Sequence, residues 1–186
     1  MNIFKKPAFA ILLTVVVVLA SSLISIDVKL SGKCEKAGDG FYTGVRVKGE
    51  RQIPAAECIE VMCADSEDMV LKAGNYGIDT AELVSVTDEL KQSIGSRTPE
   101  LGALFEDFNS FYSGTLLLKN QLYNAPLSER HKDELAETAE EFEQMAQMLA
   151  ASGYNDSVAR FLKRFDRFPV RQYAELLNIE FPEYFA

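Results

Sequence analysis

From Ala8 to Ile26 the chain reads Ala-Phe-Ala-Ile-Leu-Leu-Thr-Val-Val-Val-Val-Leu-Ala-Ser-Ser-Leu-Ile-Ser-Ile, with no charged side chain. Lys5 and Lys6 precede it and Asp27 closes it. At ~1.5 Å per residue, a helix of this length matches the ~30 Å hydrocarbon core of a bilayer. Three structures accommodate such a run: a membrane-spanning helix, a cleaved signal peptide, or the core helix of a soluble protein. Its length favours the span, with Ala8, Leu13, Val16, Leu19 and Ile26 as anchoring positions. The positive charges at the front hold that end in the cytoplasm. Lys29, Lys33 and Lys36 on the far flank weaken this bias without reversing it. The expectation is a single-pass protein of the cell membrane with its C-terminal domain extracytoplasmic. The alternative is a secreted soluble helical protein, because Val18-Leu19-Ala20 ends in small residues that resemble a cleavage site. Against cleavage, the apolar run continues through Leu23, Ile24 and Ile26. No lipobox is present, since Lys33 precedes Cys34.

Beyond the run, the 186-residue chain has material for one domain. Its net charge of −9 argues against nucleic acid, which needs a cationic stripe to neutralise phosphates. Three cysteines, Cys34, Cys58 and Cys63, are too few for a disulfide framework. On one helix Cys58 and Cys63 would point roughly 140° apart, so they cannot pair there. Outside the cytosol, Cys34 would bridge to one of them and leave one thiol over.

The division that follows is an anchor over 1–27, a juxtamembrane linker over 28–53 and a helical domain over 54–186. The linker reading rests on Gly32, Gly38, Gly40, Gly44 and Gly49, which interrupt any helical period. Phe41–Lys48 alternates weakly but has no partner strand, so it reads as loop. From Pro54 the three- and four-residue period takes over. Ile59, Met62, Cys63, Ser66, Met69, Val70 and Ala73 form one face, ended by Gly74 and Gly77. A second helix opens at Asp79 or Thr80, with Glu82 placed for a capping box, and stops at Gly95. Thr98-Pro99-Glu100 is a strong helix start, and its helix runs to about Asn124. Ser128 caps the next, whose stripe is Leu135, Ala139, Phe142, Met145 and Leu149, with Gly153 after it. The last long helix, from about Asn155 to Pro169, carries Tyr154, Val158, Phe161, Leu162, Phe165 and Phe168. A short tail helix follows. Amphipathic helices with short connections and no strand partner predict an all-α fold: the membrane helix followed by an antiparallel up-down bundle.

The helix over 128–152 is acidic and its successor is basic, with Arg160, Lys163, Arg164, Arg167 and Arg171. A tight turn at Gly153 would set the two side by side as a charge-matched pair. The second reading is a basic strip that meets an acidic partner or lipid headgroups. No catalytic constellation stands out in the sequence. His131 is alone, between Arg130 and Lys132, without metal-ligand spacing, and reads as a surface histidine. Carboxylate pairs such as Glu137 and Glu141 lie on a solvated helix face, and no phosphate loop is present. The expectation is a protein with no cofactor and no metal that is not an enzyme. A hydrolase using a thiol or carboxylates is the contrary case.

The last third carries a recognisable pattern. Tyr154-Asn155 with Val158, then Phe168-Pro169, then Tyr184-Phe185, resembles the C-terminal signature of the LemA family. Phe161-Leu162 stands where that family often repeats Tyr-Asn, and Arg51-Gln-Ile53-Pro54 is a faint counterpart of its Arg-rich stretch. The resemblance implies a membrane-anchored helical bundle with no cofactor and no agreed catalytic residues. Physically, the motif predicts that Tyr154 and Phe168 anchor the two ends of the last helix, that Asn155 caps it, and that the aromatic tail covers one end of the core. The partners expected are the bilayer, other membrane or envelope proteins, and a second copy of the chain; nucleic acid is excluded.

Overall fold

The computed structural model describes residues 7–97 and 100–186. Lys5 and Lys6, and the helix start at Thr98-Pro99, lie outside them. The order is α1 (Pro7–Gly38), α2 (Gly40–Thr43), β1 (Arg46–Val47), β2 (Glu50–Arg51), α3 (Ala55–Gly74), α4 (Ala81–Gly95), α5 (Leu101–Asn124), α6 (Glu129–Ala151), α7 (Tyr154–Phe165) and α8 (Val170–Leu177). The protein is therefore predominantly α-helical, as its periodicity predicts.

The first helix is longer than its apolar run. It passes Asp27 without a break and ends only at Gly38, a length of about 48 Å. The segment Leu13–Gly38 is long and apolar enough to cross a membrane. Its apolar part is almost uncovered by the rest of the protein: Val16 is 53% exposed and Ile24 64%. A core helix of a soluble protein would bury that face, so that third reading of the run fails.

The linker expected over 28–53 is structured. Residues 28–38 continue α1, Gly40–Thr43 adds a helical turn, and Arg46↔Arg51 with Val47↔Glu50 form a short antiparallel hairpin. The reason lies at Leu30 and Cys34, one helical turn apart. They bury themselves with Ala174 in a small apolar cluster that also takes in Phe161, Phe165, Val170, Ile179 and Phe181. A mid-helix glycine costs about 1 kcal/mol relative to alanine. Burying aliphatic and aromatic side chains returns about 1.5–3 kcal/mol each, enough to carry the helix across Gly32. The hairpin supplies the partner strand that Phe41–Lys48 lacks in the linear pattern. Gly44, at φ +77°, makes its entry; a Cβ there would stand 2.3 Å from the Gln52 carbonyl oxygen.

The main core lies among α3, α4, α5 and α6. α3 packs most extensively on α6, α4 on α5, and α3 also on α4 and α5. Ile59, Met62, Met69, Leu90, Leu104, Phe111, Leu122, Leu135 and Phe142 are sealed within it. Ser66 and Thr115 share a buried hydrogen bond of 3.0 Å across α3 and α5, and the Thr115 hydroxyl also donates to the Phe111 carbonyl. Phe41, expected in a loop, is fully buried in this core.

Both ends of α6 follow local chemistry. Ser128 Oγ accepts from the His131 backbone N–H, and Gly153 adopts φ +71°, as their positions predict. At the start of α4, however, Asp79 Oδ1 accepts from Ala81 N–H at 3.1 Å, two residues on, and not from Glu82.

The expected charge-matched pairing of α6 with α7 does not form. α7 packs on α1, while α6 packs on α3. The acidic face of α6 is answered locally, by Lys119 to Glu143 at 2.6 Å and Arg130 to Glu134 at 2.8 Å. Exposed ion pairs contribute ~0–1 kcal/mol each. Phe161 and Phe165 gain more from apolar contacts around Leu30 and Cys34 of α1, while Val158 is sealed in the main core.

Candidate functional site

Of the residues of the Tyr-Asn pattern, Tyr154, Asn155 and Phe185 come together at the end of the core where α2, α5, α7 and the C-terminal tail meet. Tyr154 opens α7 and is buried; its hydroxyl donates to the Glu183 carbonyl at 2.9 Å. Burial holds this phenol above its ordinary range, with the charge of Glu183 adding to the effect. Asn155 does not cap the helix. Its Oδ1 accepts from Phe185 N–H at 2.9 Å and its Nδ2 donates to the Phe185 carbonyl at 2.8 Å. The side-chain amide thus serves the extended tail as a partner strand would.

Held this way, the Phe185 ring enters the core. It lies 5.0 Å from Phe41, 5.2 Å from Phe105 and 5.6 Å from Phe108 between ring centroids. Edge-on and tilted contacts of this kind add to burial. Tyr154 meets Phe41 edge-on at 5.4 Å. The aromatic tail therefore covers one end of the core, as expected, while Tyr184 stays 41% exposed. Val158 is fully buried. Phe168 departs from expectation. It is 81% exposed in the turn between α7 and α8, and anchors nothing. α7 ends at Phe165, so Pro169 stands before α8 and does not close α7.

Beside this cluster is an open cleft of about 390 Å³, with Phe105, Phe108, Tyr112 and Phe185 on its apolar side and Asn109 and Asp156 on its polar side. A second, of about 680 Å³, separates the α1 stem at Cys34 and Glu35 from the tail at Asn178–Glu183.

All three cysteines are buried free thiols, so the expected Cys34 bridge is not formed. Cys58 and Cys63 belong to the main core and Cys34 to the small cluster on α1, which keeps them in separate apolar environments. Burial pushes the Cys63 thiol up to about 12, and burial together with the Glu57 charge raises Cys58. These are thiols held away from the reactive thiolate.

His131 is not a free surface histidine. It is half-buried, and its Nδ1 is 2.8 Å from the Tyr76 hydroxyl, joining α6 to the turn that follows α3. Asp65 on α3 is buried, and its Oδ2 has no hydrogen-bond partner among the described residues. Burial, with Glu141 and Asp68 nearby, raises its carboxyl to about 6. Among the described residues no group of three or more His, Cys, Asp or Glu side chains is placed to hold a metal ion.

Sequence reasoning missed Phe41, Leu30 and the Asn155–Phe185 clamp. Leu30 and Cys34 were findable as a four-residue step continuing past Asp27. The clamp had no local signal, since its two halves lie thirty positions apart. No family model, curated protein or solved structure matches the chain.

Proposed function

We propose that this protein is a membrane-anchored, LemA-like antiparallel up-down helical bundle that works outside the cytoplasm by docking other proteins, and not by catalysis. The observation that carries the reading is the form of α1. Its apolar half is uncovered, and its polar half is packed into the body at Leu30 and Cys34. An apolar helix side of this length in water is untenable for a monomer, and a bilayer satisfies it. The body so held presents acidic helix faces and clefts, with its cysteines buried and its one histidine bonded to Tyr76. The partners in this reading are envelope or membrane proteins and a second copy of the chain. The family assignment rests on the Tyr154-Asn155, Phe168-Pro169 and Tyr184-Phe185 pattern, for which Asn155 and Phe185 now have a mutual structural role.

The test is protease accessibility of a tag at Ala186 in intact cells, with carbonate extraction of the membranes. The reading expects an unextracted protein whose tag is digested from outside. A protected tag would overturn the sidedness. A processed chain in the medium, beginning near Ser21, would favour the secreted alternative.

A further inference from the structure

We propose that the turn between α7 and α8 is a second membrane contact, a Phe168-tipped basic hairpin that enters the headgroup layer of an anionic phospholipid bilayer beside α1. The inference rests on α1 spanning that bilayer, and adds a lipid-binding surface to it.

The placement follows from neighbours along the stem. The Tyr154 ring packs on Phe41, beyond the C-terminal end of α1, while the Lys33 ammonium sits over the Phe165 ring at 4.9 Å. α7 therefore runs back along α1 toward its apolar half. α8 then returns: Ala174 packs with Leu30 and Cys34, and the residues after it lie beside Cys34, Glu35 and Gly38. The turn at Asp166–Pro169 is thus the part of the body nearest the apolar run. If the hydrocarbon edge falls at Ile26, Leu30 stands about 6 Å outside it and Cys34 about 12 Å. The headgroup layer is about 5–7 Å deep on each side. The turn is at that depth.

Its chemistry suits that layer. Phe168 is 81% exposed, in the turn between two strongly amphipathic helices. Lys163, Arg164, Arg167 and Arg171 flank it in the sequence. The opposing carboxylates are Asp27 and Glu35 on α1 and Asp156, Asp166 and Glu175 on α7, the turn and α8. Asp166 and Glu175 both pair with Arg171, at 3.2 and 3.1 Å. Among the described residues no carboxylate within 4 Å pairs with Lys33, Lys163, Arg164 or Arg167. The basic surface continues upward in a groove of about 800 Å³ lined by Lys33, Lys36, Arg46, Arg51 and Arg164, against the single carboxylate Asp39. In a chain of net charge −9, this concentration of cations beside the apolar helix complements anionic headgroups. An acidic protein would be attracted by the same charges, but would not be met by an aromatic side chain at headgroup depth.

The chain contains no tryptophan, so Phe168→Trp places a single reporter at the tip. The full-length variant is reconstituted in phosphatidylcholine vesicles with and without phosphatidylglycerol, using lipids brominated at defined depths. Val16→Trp in a parallel sample reports on the anchor. Expected are quenching of Val16→Trp by deeply brominated lipid, and a blue shift of Phe168→Trp with quenching by shallow bromines. The tip signal should rise with phosphatidylglycerol. A Lys or Arg at an anionic surface contributes about a fivefold factor in affinity, so adding Arg164→Gln and Arg167→Gln should remove most of the phosphatidylglycerol dependence. An unquenched tip beside a quenched anchor overturns this proposal alone. An unquenched anchor overturns the spanning reading, and with it this one. Tip quenching equal in both lipids refutes the anionic preference.

Discussion

Asn155 binds Phe185 through both ends of its side-chain amide, accepting from the backbone N–H at 2.9 Å and donating to the carbonyl at 2.8 Å. The pair closes a thirty-residue excursion of the chain and fixes the last aromatic ring in the core. Replacing Asn155 by Ala removes both bonds, each with a net worth of about 0.5–1.5 kcal/mol. Thermal unfolding of Asn155→Ala should show a loss of about 1–3 kcal/mol, and limited proteolysis should cut the tail first. Asn155→Asp keeps the acceptor and sets a carboxylate oxygen against the Phe185 carbonyl, so it should be no better than Ala. A melt unchanged in both variants would remove the clamp from the account of stability.

Phe41 has no exposed surface and meets Tyr42, Tyr154 and Phe185. Phe41→Ala should destabilise by about 3–5 kcal/mol, the usual range for a large core aromatic. Leu71→Ala, at a side chain 73% exposed, should stay within about 0.5 kcal/mol. Denaturant midpoints of the two variants give the comparison directly. Equal midpoints would return residues 39–45 to the status of a loose connector.

Asp65 gives the protein a pH dependence of definite sign. Its folded-state carboxyl titrates near 6, above its ordinary 3.8, because burial disfavours the charge and Glu141 and Asp68 repel it. The native state therefore holds a proton that the unfolded state releases. This contribution favours folding most below about pH 4 and is lost as pH rises through about 6. Asp65→Asn should be more stable than the parent at pH 8 by about 1–2 kcal/mol and should lose that advantage by pH 4. Urea titrations at the two pH values decide it; an advantage independent of pH would assign the effect to packing.

Cys58 and Cys63 should resist a maleimide in the native protein at pH 8, because both are sealed from solvent and burial holds the Cys63 thiol near 12. Mass spectrometry should find neither modified until urea is added. Rapid native labelling of Cys63 would show that α3 opens locally on the labelling timescale.

Much of the helical body was legible because its signals are short-range. The stripe Ile59, Met62, Cys63, Ser66 and Met69, the Ser128 cap and the left-handed Gly153 each depend on residues within a turn or two, and each is found where the sequence puts it. Glycine spacing misled between 28 and 50. The pattern penalises Gly32 by propensity, whereas the fold sets that modest penalty against the burial of Leu30 and Cys34 by residues more than a hundred positions away. Charge misled in the same manner at α6 and α7. Opposite signs on consecutive helices suggested partnership, but the apolar stripe of α7 chose α1. An Asn near a helix start usually caps it, whereas the partner of Asn155 is Phe185, thirty positions away.

The continuity of α1 through Asp27 and Gly32 has a mechanical meaning. A flexible tether would let the body tumble; an unbroken rod couples its azimuth to that of the apolar segment 13–26. Each residue inserted between Asp27 and Leu30 would turn the body by about 100° and lift it by about 1.5 Å. In the proposed membrane-anchored arrangement, helical phase would then set which face of the body turns outward, and a single inserted alanine should redirect its crosslinks without unfolding anything.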